Sequence, residues 1–199
     1  MYRMSLMSLF PPPSLASRLN IPHCMKMALI HDLAESLVGD ITPVDGVPKT
    51  EKSRRESATI DYLTKSLLGR VNGGHAGKDI RRIWQEYEES ETLEAKFIHD
   101  VDKIELMLQM VEYEKTGRGK IDLSEFSGVA TRIKLPEVKE WSAEVLEERE
   151  EFWKGFFDLG VLTLRSGENS IRFRPPLDIT SEVIDEAMDA MRKYCRQRK

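Results

Sequence analysis

The residues best suited to chemistry in this chain are the adjacent pair His31-Asp32. Glu35 and Asp40 follow closely in the stretch MKMALIHDLAESLVGD, and Asp102 stands about 70 residues further on. Imidazole nitrogens and carboxylate oxygens bind divalent cations and also carry protons near neutral pH. His31 and Glu35 are four apart and Asp32 and Glu35 three apart, so on a helix one face carries an imidazole and two carboxylates. Around them Met25, Met27, Ala28, Leu29, Ile30, Leu33, Ala34, Leu37 and Val38 leave almost no polar sector, the pattern of a helix buried in a core. Ionised groups there need a counter-charge or good donors. Two readings fit: a structural His-Asp pair satisfied by its own packing, or a pair of metal ligands.

The elements that must position these groups follow from local signals. Asn20 offers a cap and Pro22 sits in the first turn, which predicts a helix from near Ile21 that stops at Gly39, with Asp40 just beyond. A second helix is expected over Glu94 to Glu114, where Phe97, Val101, Ile104, Leu108 and Val111 form an apolar stripe. Asp102 lies at the edge of that stripe, placed to face a site in the core or to pair with Lys96 or Lys103 on the surface. His99 and Asp100 are assigned mainly to the solvated flank, the alternative for His99, three residues before Asp102, being a place behind the metal ligands that orients them. Successive helical residues point roughly 100° apart, so a His-Asp doublet supplies two ligands only at a seam between helices.

The remaining elements are a short helix over Met1 to Phe10, packing through Met1, Met4 and Met7, and a helix over Lys49 to Leu68. In the latter, Lys49, Lys52, Arg54 and Arg55 read as a solvated face rather than as anion contacts. A shorter helix over Ile80 to Ser90 packs through Ile83, Trp84 and Tyr87. Ile41 to Pro48 and Arg70 to Lys78 are loops, the second with His75 exposed.

With 199 residues the chain is long enough for one sizeable core or one domain with an appendage. Its 30 basic and 34 acidic residues argue against an extended surface for a nucleic-acid polymer. No apolar run reaches the roughly 20 residues that cross a bilayer. The apolar start is short and broken by Pro11, Pro12 and Pro13, so no membrane or secretory signal is expected. Cys24 and Cys195 make no disulfide framework, and a cytoplasmic setting is the expectation.

The pairing of ALIHDLAESLVGDI with AKFIHDVDKIELMLQMVEYEK resembles the HD-domain superfamily of metal-dependent phosphohydrolases. More narrowly it resembles the branch of 5′-deoxynucleotidases that includes HD domain-containing protein 2. The combination HDxAExxxGD plus FxxxxDKxE is much more specific than the dipeptide. The resemblance covers Met1 to about Trp153 and implies a mainly α fold, an HD helical bundle.

It also implies a divalent metal (Mn, Co, Mg, Fe or Zn) held by His31, Asp32 and Asp102, with Glu35 acting beside it. Asp40 would lie near the substrate sugar and the attacking water. The implied substrate is a deoxynucleoside 5′-monophosphate and the implied assembly a homodimer. The family's first metal His lies ahead of a segment like MYRM, and no residue of this chain matches it. His23, roughly 12 Å along the helix from His31, is no substitute. A three-ligand site is expected to hold its metal more weakly. The alternative to a nucleotidase is therefore a catalytically impaired HD module that binds a nucleotide or a protein partner.

The end of the chain, residues 154–199, reads as an appendage of a β-hairpin (VLTLRSG, SIRFRPP) and a helix from Thr180 to about Tyr194. It resembles the C-terminal end of class III, pyridoxal phosphate-dependent aminotransferases, with Arg172 at the position of their carboxylate-binding Arg. Some 45 residues cannot form a cofactor domain, so that role is not carried over, and a fused remnant is the expectation.

Overall fold

The computed structural model describes residues 1–117, 120–157, 163–165 and 171–173. It is mainly helical, as the sequence leads one to expect. Eight α-helices are described: α1 Tyr2–Met7, α2 Pro13–Ala16, α3 Ile21–Ile30, α4 Glu35–Val38, α5 Lys49–Asp61, α6 His75–Glu89, α7 Leu93–Thr116 and α8 Pro136–Phe157. They fall into two compact units, Met1–Glu105 with Arg132–Lys139, and Leu106–Thr131 with Glu140–Lys199. Among the described residues no helix is long and apolar enough to cross a membrane.

In the first unit, α1 and α6 both pack on α3. A buried cluster of Ala34, Ile60 and Trp84, flanked by Ile30 and Leu33, joins the α3–α4 turn to α5 and α6. The start of α3 obeys its local signals. Asn20 Oδ1 accepts the His23 amide at 3.2 Å, and the Asn20 amide donates to Glu94 Oε1 at 3.0 Å, tying the cap to the start of α7.

The expected single helix from Ile21 to Gly39 is interrupted. It leaves α geometry after Ile30 and resumes only at Glu35, with Leu33 N bonded to Ile30 O (2.9 Å) and Glu35 N to Asp32 O (3.0 Å). Nor is it buried all round, since Leu29 and Leu37 are 48% and 58% exposed. One lost backbone bond costs about 1 kcal/mol, while burying a Leu- or Ile-sized side chain contributes about 1.5–3 kcal/mol. The turn is tolerated because it still buries Ala34 and partly buries Ile30 and Leu33. Gly39, at φ 77°, ends α4 as expected.

α5 runs on through a π-helical turn, Tyr62–Leu67. α6 starts five residues earlier than periodicity suggested, at His75, after a turn with Asn72, Gly73 and Gly74 all at positive φ. The expected loop hid a helix start because Gly77 serves packing rather than flexibility. A Cβ there would stand 2.2 Å from the Thr64 carbonyl oxygen.

In α7, Phe97, Val101, Ile104 and Val111 are buried as the stripe requires. Asp100 is not on a solvated flank. It is fully buried and accepts the amides of Lys134 (3.0 Å) and Leu135 (2.8 Å) and the Lys103 ammonium (3.0 Å). In the second unit Glu114 is likewise fully buried. It accepts two bonds from Arg149 at 2.9 Å, one from Trp153 Nε1 at 2.9 Å and one from Leu123 N at 2.8 Å.

Thr163–Arg165 and Ile171–Phe173 pair antiparallel, with Leu164 opposite Arg172. The expected hairpin-plus-helix appendage is not supported as a whole. Its connecting residues and the helix from Thr180 lie outside the described residues.

Candidate active site at the His31-Asp32 turn

The break after Ile30 is what presents the doublet. In an unbroken α-helix the Ala28 carbonyl would accept the amide of Asp32. Here it faces His31 Nδ1 at 2.9 Å instead. A carbonyl only accepts, so Nδ1 carries the proton and Nε2 is left with a lone pair in the neutral ring.

Nε2 points at carboxylates rather than donors. It lies 2.9 Å from Asp32 Oδ2 and 3.9 Å from Asp102 Oδ1, and it is buried with no hydrogen-bond partner. A lone pair facing two anions is repulsive unless a cation or a proton comes between them. Burial opposes charge on His31, but the contact with Asp32 and the field of Asp102 outweigh it and raise its pKa. Asp32 is lowered: burial opposes its charge, and His31 more than offsets this. Asp102 is raised by desolvation, which His31 only partly relieves.

The donor set of one imidazole nitrogen and two carboxylates suits a divalent cation, the unpartnered Nε2 marks where it would be needed, and metal binding is typical of HD domains. As they stand, no three His, Cys, Asp or Glu side chains among the described residues close to ligand spacing.

Behind the imidazole sits Tyr87, its ring centroid 5.0 Å from that of His31. His99 also stacks on Tyr87, with centroids 3.9 Å apart, and points Nε2 at the Tyr87 carbonyl oxygen, 2.9 Å away. From sequence Tyr87 reads as packing and His99 mainly as flank, with a place behind the metal ligands as its alternative. Their i, i+12 separation crosses two helices, which no local pattern reveals. His23 is engaged elsewhere, with Nε2 2.8 Å from Glu86 Oε2. Lys103 pairs with Asp100, leaving Asp102 to His31.

Glu35, the first residue of α4, has its carboxyl pushed up to about 7, first by burial and then by the charges of Asp32 and Asp40. Lys52 works against that rise from 4.0 Å. Asp40 is exposed on the loop after Gly39, and its field reaches Glu35 and Glu56. The basic start of α5 divides. Arg54 and Arg55 pair with Glu51 on the exposed side, as expected of a solvated face, whereas Lys52 turns inward to Glu35 and Glu56.

The HD domain family profile matches residues 1–141. The chain is 43% identical over 154 residues to 5′-deoxynucleotidase hdd1 of Schizosaccharomyces pombe, covering 77% of this chain and 75% of that one. It is 36% identical over 150 residues to 5′-deoxynucleotidase HDDC2 of Homo sapiens, covering 75% and 70%. Against 5′-deoxynucleotidase YBR242W of Saccharomyces cerevisiae it is 41% identical and spans 63% of that relative's length. The solved structure of HD domain-containing protein YGK1 superposes with a TM-score of 0.63 at 35% identity, covering 77% of this chain and 76% of that one. With these matches joined to a His-Asp doublet whose buried imidazole faces a second-helix aspartate, the chain belongs to the HD-domain family.

Proposed function

We propose that this protein is a divalent-metal-dependent 5′-deoxynucleotidase, hydrolysing deoxynucleoside 5′-monophosphates to deoxynucleoside and inorganic phosphate. The observation that carries the reading is the unpartnered His31 Nε2 set between Asp32 and Asp102, in a chain 36–43% identical to proteins named for that activity. In this reading His31, Asp32 and Asp102 hold the metal. Bound there, it would polarise the phosphate and acidify a water.

Glu35 takes a proton from the attacking water as the new P–O bond forms. It returns that proton to the 5′ oxygen as the old bond breaks, so no other acid is needed. A carboxyl near 7 is suited to both halves of that exchange. Asp40 meets the sugar and water from the loop after α4. Residues 1–153 are the hydrolase portion and 154–199 the appended remnant. The substrate is the free nucleotide, consistent with a net charge of −4, and the enzyme works as a homodimer, which light scattering tests.

The experiment is phosphate release by the purified chain from deoxy- and ribonucleoside 5′-monophosphates with Mn or Co. Release favouring the deoxy series supports the reading. No release from folded protein under any of these metals supports instead an HD module that binds without turnover.

A further inference from the structure

We propose that Lys52 is the positioning residue of this site, a clamp that fastens the Asp40 loop to α5 and holds Glu35 in its working orientation. The proposal rests on Glu35 as the proton-transfer group. Lys52 Nζ donates to the carbonyl of Ile41, the residue immediately after Asp40, at 2.9 Å. It stands 3.6 Å from Glu56 Oε1, one turn along α5, and 4.0 Å from Glu35 Oε1 on α4. One ammonium therefore ties three segments together.

Only the Ile41 carbonyl is within ordinary hydrogen-bond distance, so toward the two glutamates Lys52 acts as a charge. That charge is needed. Glu35 is faced by Asp32 from the preceding turn, Asp40 from the following loop, and Lys52 and Glu56 from α5. The charges of Lys52 and Glu56 also reach Glu88 on α6. Lys52 is the cation in this acidic group that acts on Glu35, and it also offsets the burial of Glu56. Without it, mutual repulsion turns Glu35 outward and frees the loop that carries Asp40.

The test compares wild type, Lys52→Met and Lys52→Arg in two measurements. In phosphate release, Lys52→Met should lower kcat about 10- to 100-fold, a part of the roughly 10²- to 10⁴-fold that general acid-base catalysis supplies, with KM changed less than about 3-fold. The acid limb of its pH-rate profile should move upward, and Lys52→Arg should recover most of the rate. In hydrogen exchange, the segment 36–46 of Lys52→Met should exchange faster while α3 and α7 do not.

A tenfold rise in KM at unchanged kcat would make Lys52 a contact for the substrate phosphate and overturn the proposal. So would unaltered exchange over 36–46, or faster exchange with unaltered kinetics. If wild type itself releases no phosphate, the proposed function fails, while the exchange comparison still decides whether Lys52 is a clamp.

Discussion

His31 gains its chemistry from a bond that has nothing to do with substrate. Its Nδ1–H donates to Ala28 O where the helix opens, and Nε2 is left facing Asp32 at 2.9 Å and Asp102 at 3.9 Å. Glu35, four residues later, is pushed up to about 7 by burial and by the charges of Asp32 and Asp40. Glu35→Gln should lower phosphate release about 10²- to 10⁴-fold in steady-state assays without loss of helical signal. It should also change stability in a pH-dependent way. A carboxyl whose folded pKa lies near 7, above its ordinary 4.5, favours the fold fully below pH 4.5, and that contribution is lost as pH rises through 7. In the metal-free protein, Glu35→Gln should therefore melt above wild type at pH 8 and level with it at pH 4, read by thermal denaturation. A difference of the opposite sign at pH 8 would contradict the crowding inferred around Glu35.

Among the elements, α6 matters by how closely it approaches its neighbour. Gly77 lets it lie against the π-helical turn at Thr64, where a Cβ would overlap a carbonyl oxygen. Backbone cannot retreat as a side chain can, so Gly77→Ala should destabilise by about 1–3 kcal/mol in urea titrations. It should also displace Tyr87, on the same helix, from behind His31. In the second unit the fully buried Glu114 bonds at once to Arg149, Trp153 and the amide of Leu123. Removing one partner of a buried ion pair strands the other. Glu114→Ala should cost about 3–5 kcal/mol, seen as a large fall in melting temperature.

For the whole molecule, a metal held at the proposed site would make metal binding and stability one property. A cation that binds the folded chain at 100 times its Kd adds about 2.7 kcal/mol, roughly 5–10 °C in a chain of this size. Manganese should raise the melting temperature by that amount and a chelator should reverse it. Asp102→Ala should weaken manganese binding by at least about 10-fold in calorimetry and cut the thermal shift to about half or less. An equal shift in Asp102→Ala would place the metal elsewhere.

The chain's order of polar and apolar residues determined a good deal. The Asn20 cap, the stop at Gly39, the buried stripe of α7 and the candidate groups His31, Asp32, Glu35, Asp40 and Asp102 are all local patterns, set by capping bonds, positive φ and helical periodicity. α8 and the early start of α6 were not singled out by those patterns, because the glycines before α6 look like a loop until their packing is seen. Other features belong to tertiary structure alone. Periodicity carries no information about which carbonyl an imidazole will take, so the break at His31 was invisible. The burial of Asp100 depends on amides 34 and 35 residues away, the stack of Tyr87 on His99 depends on two helices meeting, and the inward turn of Lys52 depends on the Ile41 carbonyl. The sequence alone determined which groups were available for chemistry. Only the fold decided which of them face one another, because contacts between distant segments set burial and charge.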